Sequence, residues 1–449
     1  MTNTINNPNL DKAVGALLGT ACGDALGWPN ERVNPVNSTK NAPIVTSLDF
    51  KSWSRRSGGL SCPYEENIDA GCYSDTTQLI LCVARAILSG EGWAQRLVSV
   101  ELPFWTIYER SGDKSTIKAI ASWKRQIAPW ASSRKATDIK KYFYSWGNGV
   151  TMRILPHAIF GVDNSNFSTI ANNIIYDGIA THGHPRALIS GLAYGYAVWT
   201  SLLRSHPPKT KEILEDLLDN ANKWALDFDF FNLPQQWIDN ARKFFDLNKL
   251  WKITIEEMLD LLNVSHKGLE NTSANENNIL DDLGCFNYKF TNSSLVTVAG
   301  VLYLASKYSS EPLEGLTKAT YLLGSDTGTI GAMTGALLGI VNGKTWLQNH
   351  AKFVQDYNYL NKIASNLILK SSSTKYTDLG EISDDYLQNW SNNLAKININ
   401  DACLLPDGRN AKLTSIETYN AKDYRINLKC YKLLSEDEQL IYAKSMLFS

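Results

Sequence analysis

The sequence predicts an all-α globule carrying a small β-containing appendage at its C-terminal end. Three observations carry that expectation. Glycines recur at four-residue steps inside apolar runs, helical periodicity repeats through residues 1–396, and the pattern changes character after about Ile397. The 449 residues allow one large core or two to three ordinary domains and are ample to enclose a pocket.

The first element is Asp11 to Gly27, where Gly15, Gly19, Gly23 and Gly27 line one helical face. Each costs roughly 1 kcal/mol relative to Ala in a helix interior, so the stripe is read as a surface for close helix packing. Gly191 and Gly195 repeat the device, as do Gly331, Gly335 and Gly339. Such steps mark helix dimers in membranes, but the hydrophobicity here is too low for that. Helical periodicity is also clear over Thr77–Leu88, Ile213–Ala225, Ser294–Tyr308 and Glu314–Leu323. Ala187–Leu203 is the longest apolar stretch, and its two glycines and two tyrosines suit a buried core helix rather than a membrane span. The Asn/Glu-rich stretch Val264–Asp282 is expected to be an exposed insertion. Beyond Ile397 a Pro406-Asp407-Gly408 turn precedes alternating runs at Lys412–Tyr419 and Tyr424–Leu433, which read as short strands. The expected organisation is therefore a helical domain over 1–396 and a small extension over 397–449.

Charge narrows the partners. Lys plus Arg number 44 against 45 Asp plus Glu, a net charge of -1, which predicts no membrane attachment and no extended nucleic-acid surface but leaves room for a local contact. The seven cysteines form no Cys-x-x-Cys pair and follow no secretory signal, so they are read as reduced and the protein as cytoplasmic.

Several short segments could carry chemistry. Gly23-Asp24-Ala25-Leu26-Gly27-Trp28-Pro29 ends a helix and leaves Glu31 on the following loop, where an acid is either solvated or functional. Tyr73-Ser74-Asp75-Thr76-Thr77-Gln78 places a surplus of hard oxygens ahead of an apolar helix; they suit a helix cap, for which one would be enough, or Mg²⁺. Gly324-Ser325-Asp326-Thr327-Gly328-Thr329 repeats that design before the last glycine-striped helix, and a helix start also cradles a diphosphate. Gly147-Asn148-Gly149 is a turn where backbone can approach a ligand. His182 and His184 lack a third ligand at zinc spacing, so His182 reads as a pocket or structural histidine.

In this order the segments resemble the ADP-ribosylglycohydrolase family, from about Asp11 to Gly343. The resemblance rests on Gly23 to Gly27 with Glu31, on Gly147-Asn148-Gly149 with Met152-Arg153, on Thr181-His182, and on the two acidic helix starts. It implies a compact orthogonal all-α fold, a pocket for ADP-ribose, and hydrolysis at the anomeric carbon assisted by two Mg²⁺ ions. It also implies that Asp24, Gly147, Asn148, Gly149, His182 and Ser325 line the ligand. Two family aspartates are replaced, by Thr76 and by Gly328. Ser74, Asp75, Thr76, Asp326 and Thr329 remain as metal-ligand candidates, and so few acids imply at most one weakly held Mg²⁺, or none.

Glu31, Asp75 and Asp326 are accordingly the expected catalytic residues, with Glu31 as general acid or base and the aspartates positioning an ion or the ribose hydroxyls. The competing readings are a non-catalytic ADP-ribose binder, metal-free hydrolysis of an ADP-ribosylated base or nucleotide, and a purely structural role. The expected partners are ADP-ribose or an ADP-ribosylated substrate, together with a cognate ADP-ribosyltransferase or toxin.

Overall fold

The computed structural model describes residues 8–31, 48–58, 63–271, 273–347, 349–371, 380–419 and 426–448. Helix α1 spans Pro8–Gly27 and α2 spans Asp75–Leu88. α1 begins three residues before the expected Asp11, and α2 begins at Asp75, directly after the Ser74 cap position.

The glycine stripes explain the central packing. Cβ atoms on Gly15, Gly19 and Gly23 would collide with the carbonyl oxygens of Gly339, Gly335 and Gly331, and the reverse holds from the Thr327–Asn342 helix. The two helices therefore run antiparallel with backbone against backbone, an approach that larger side chains would prevent. Thr327 Oγ1 closes the seam by donating to the Gly27 carbonyl at 2.7 Å. The third stripe behaves differently. Gly191 and Gly195, in the Pro185–Leu203 helix, receive the Ile174 side chain rather than another backbone.

Other elements refine the sequence reading. The periodic run from Ile213 breaks at Asn220 into two helices, Glu212–Asp219 and Ala221–Trp224. Val264–Asp282 is not an exposed insertion. It completes the Leu247–Glu270 helix and folds back as Glu276–Asp282, burying Ser265, Leu269 and Leu280 beneath its polar residues. A hairpin of β1 (Trp53–Ser57) and β2 (Tyr64–Ile68) was not legible from pattern.

The C-terminal extension is an antiparallel meander of β3 (Ala402–Leu404), β4 (Asn410–Tyr419), β5 (Ile426–Ser435) and β6 (Leu440–Phe448). Of the run expected from Tyr424, residues 424 and 425 lie outside the described residues. Leu413, Leu433 and Ile441 join the same apolar core as the helices. A buried ionic network adds to that seam. Arg85 of α2 pairs with Glu101 at 2.8 Å and faces Asp407 at 3.7 Å, while Arg409 pairs with Asp407 at 2.6 Å and Asp437 at 3.0 Å. Gln439 Oε1 accepts from both arginines. Buried charges persist only when paired in this way.

The hairpin and β6 meet beside the 109–113 loop. Lys444 donates from Nζ to the Glu109 carbonyl at 3.1 Å and from its backbone N–H to the Ile107 carbonyl at 2.9 Å, and pairs with Glu66 at 3.0 Å. Burial opposes the charged Glu66 carboxylate, yet Lys444, Arg55 and Arg110 hold it down at about 2. The six described cysteines carry free thiols, and Cys62 lies outside the described residues. Among the described residues no helix is long and apolar enough to cross a membrane.

Candidate active site

The pairing of α1 with the Thr327–Asn342 helix brings together what the sequence keeps far apart. Glu31 leaves the end of α1 just where Asp326 starts its partner, and Asp75 enters from α2. These three acids and Asp113 line one cavity of 420 Å³ together with Asn148, Gly149, Ser325 and Thr329. Among the described residues no Lys or Arg lines it. Such a cavity favours a ligand that carries or develops positive charge.

Each acid is held by its local sequence. Asp326 caps its helix by accepting the Thr329 N–H at 3.3 Å through Oδ1, while Oδ2 accepts from Asn148 Nδ2 at 2.7 Å. Burial raises the Asp326 carboxyl, and those hydrogen bonds partly offset it. Burial, followed by the charges of Asp24, Glu31, Asp113 and Glu109, pushes Asp75 well above its ordinary range. Asp113 caps the Lys114–Trp123 helix through Oδ1, accepting from Ser115 at 2.7 Å and Thr116 at 3.0 Å. Its other oxygen is buried and has no partner among the described residues.

The Gly147-Asn148-Gly149 turn is shaped from both sides. Asn148 N–H donates to the Asn292 carbonyl at 3.1 Å, and Arg153 Nη1 donates to the Gly149 carbonyl at 2.9 Å while its Nε grips Asp177 at 2.8 Å. Gly149 leaves space that polar atoms use. A Cβ there would sit 2.8 Å from His182 Cε1, 3.0 Å from Asp113 Oδ2 and 3.2 Å from Thr116 Oγ1.

Five residues expected at the site lie outside the cavity lining. Asp24 is fully buried and works as a cap from outside α2. Its Oδ1 accepts from the Ser74 N–H and hydroxyl at 3.0 and 2.6 Å, and its Oδ2 from those of Thr77 at 2.9 and 2.7 Å. Ser74 is thereby turned inward with it. Thr76 Oγ1 donates to Met152 Sδ at 3.4 Å. Gly147 lines an adjoining groove instead. His182 stands behind Gly149 with Nδ1 2.8 Å from Thr181 Oγ1, and burial lowers its pKa to about 4. His184 is occupied elsewhere, its Nδ1 accepting the Arg186 N–H at 3.1 Å to cap the next helix.

Sequence reasoning missed Asp113, Ser111, Thr291 and Asn292. Asp113 carried a signal, an Asp directly before a helical run, but the others come from loops whose position only the packing sets.

A model of the ADP-ribosylglycohydrolase family matches residues 6–376. The chain belongs to the ADP-ribosylglycohydrolase family. A solved structure described as an ADP-ribosylglycohydrolase-related protein complex is similar at 18% identity and a TM-score of 0.52, over 81% of this chain and 99% of that one. At that identity the likeness is one of fold. A search of curated proteins finds no match. Family membership makes this a glycohydrolase-type chain, and its C-terminal sheet, β3 to β6, lies wholly beyond the matched segment.

The donor set departs from that of an ADP-ribosylglycohydrolase with two Mg²⁺ ions. Among the described residues no three His, Cys, Asp or Glu side chains converge as metal ligands. Both oxygens of Asp24 and of Asp326 are already engaged. Where the family has its second aspartate this chain has Gly328, and a Cβ there would collide with Glu31 Oε1. The residues present do not fit a two-ion centre.

Proposed function

We propose that this ADP-ribosylglycohydrolase hydrolyses the bond between the anomeric carbon of ADP-ribose and an acceptor on a modified protein, nucleic acid or small molecule. The observation that carries the proposal is the cavity itself, in which Glu31, Asp75, Asp113 and Asp326 meet with no cation among the described lining residues. That charge pattern suits the oxocarbenium-like state through which glycosidic bonds break. The ribose end of the ligand belongs among the acids, and its diphosphate toward the open side at Asn292.

In this reading Glu31 takes a proton from water as its oxygen bonds to the anomeric carbon. Asp75, kept protonated by burial and by neighbouring carboxylates, supplies a proton to the departing acceptor as the old bond breaks. Asp326, fixed by Asn148 and Thr329, holds the ribose hydroxyls. The reading includes at most one weakly held Mg²⁺, a cytoplasmic setting, and a cognate ADP-ribosyltransferase or toxin whose modification is reversed.

The test is release of ADP-ribose from ADP-ribosylated protein and nucleic acid, with and without Mg²⁺. Glu31→Gln and Asp75→Asn are each expected to lower the rate at least a hundredfold. Unchanged rates in both variants would remove the assigned roles. The missing acids at Thr76 and Gly328 favour a second reading, a non-catalytic ADP-ribose binder. It is distinguished by calorimetric binding of ADP-ribose in a chain that releases none from any modified substrate.

A further inference from the structure

A groove of 840 Å³ adjoins the acid cavity, and Tyr288, Thr291 and Asn292 line both. Its charge is the reverse of its neighbour's. Lys114, Lys118, Arg125, Arg134, Lys141 and Lys289 line it against a single acid, Asp138. None of these six cations forms an ion pair within 4 Å among the described residues, in a chain whose net charge is only -1. Cations gathered in one concavity without counter-charges focus the field on an anion.

The groove is also aromatic. Tyr144 is 48% exposed and Tyr288 is 83% exposed, and Trp146 shares the same lining. Lysines attend the exposed rings, Lys140 Nζ at 5.5 Å from Tyr144 and Lys289 Nζ at 5.8 Å from Tyr288. Each exposed ring has a lysine over one face, and exposed rings beside cations are the combination that holds unpaired bases and their phosphates. An acidic peptide would use the cations and leave the rings in water. The diphosphate of one ADP-ribose would meet two of the six charges and leave the rest without a partner.

We infer that this groove binds a short single-stranded nucleic acid and presents its ADP-ribosylated nucleotide to the acid cavity. The inference rests on the hydrolase reading for what happens in the cavity, but the binding stands apart from it. Phosphates of a few nucleotides lie along Lys114, Lys118, Arg125 and Lys141, and bases stack on Tyr144 and Tyr288. The contact is local, so a chain without a basic surplus can make it.

The experiment is fluorescence anisotropy of a labelled twelve-nucleotide oligothymidylate with the full chain at 50 and 200 mM salt. The same oligonucleotide in a duplex and a polyglutamate peptide of equal charge are run beside it. The expected result is single-strand binding that weakens at least tenfold across that salt range and exceeds binding of the duplex and the peptide. Lys118→Glu combined with Arg125→Glu should weaken it more than tenfold, and Tyr144→Ala about tenfold. All three positions are exposed, and matching melting curves exclude unfolding. Oligonucleotide binding that is absent, or unaffected by these variants, overturns the inference. So does equal or tighter binding of polyglutamate, which assigns the groove to an acidic protein. Calorimetry with ADP-ribose keeps the two readings apart: if ADP-ribose binds and the oligonucleotide does not, the groove proposal falls alone. If the oligonucleotide binds and ADP-ribose does not, the hydrolase reading falls alone.

Discussion

Glu31 Oε1 occupies the space that a side chain on residue 328 would need. The glycine and the inward carboxylate are therefore one feature. In Gly328→Asp the new Cβ would meet Glu31 Oε1, so the flexible Glu31 side chain must turn out of its present position to make room. The expected outcome is a loss of ADP-ribose release comparable to Glu31→Gln, with no gain in Mg²⁺ affinity by calorimetry. Two bound ions and retained activity in that variant would show that Glu31 moves freely.

Asp24 serves stability rather than the ligand. Asp24→Ala leaves two backbone N–H groups and two hydroxyls of α2 without their acceptor in the core, and unpaired buried donors cost about 1–3 kcal/mol each before relaxation. Urea unfolding should show a loss of about 3–5 kcal/mol. A loss below about 1 kcal/mol would mean that water or another acceptor replaces the carboxylate.

His184 sets part of the acid sensitivity. Burial, with Arg186 adding to it, lowers its pKa from 6.5 to about 4. The folded state therefore favours the neutral ring, whose contribution is complete above pH 6.5 and drains away as the pH falls toward 4. Full protonation costs on the order of 3 kcal/mol. In His184→Asn, which keeps a capping side chain, melting temperature should fall less between pH 7 and pH 4.5 than in the parent. Parallel pH profiles would place the sensitivity at other groups.

The sheet cannot be removed cleanly. Ending the chain at residue 396 strips Asp407 and Gln439 from Arg85 and uncovers the core beneath Leu413, Leu433 and Ile441. That chain is expected to aggregate on expression. A milder probe, Lys444→Met, breaks the contacts to Glu66 and to the Glu109 carbonyl, so it should loosen the loop that presents Asp113. A several-fold rise in the Kd for ADP-ribose is expected at a melting temperature lowered by only a few degrees. An unchanged Kd would separate the sheet from the pocket.

The helices were legible because periodicity and capping are local. The loop and helix-start positions of Glu31, Asp75 and Asp326 are local features too, and the fold brings the three to one cavity. Asp24 stands outside the cavity lining, which the sequence does not show, because an acid in a ligand motif and an acid capping a neighbouring helix look alike until α2 is in place. The basic groove was invisible in a net charge of -1, since composition averages over faces that only the fold separates. The β1–β2 hairpin has alternating burial, but its short polar strands give no apolar run to detect.

The backbone seam between α1 and the Thr327–Asn342 helix also governs when this protein becomes itself. Its partners are made near opposite ends of the family-matched segment, so their contact has a long loop to close and is slow to form. Glu31 leaves the ribosome early and waits, without a counterpart, until Asp326 and the helix behind it have been synthesised. A stalled or truncated nascent chain lacks the cavity altogether rather than holding a weakened version of it. Competence of the acid pocket is thus a late, all-or-none event in the life of each copy, dependent on synthesis through the Thr327–Asn342 helix.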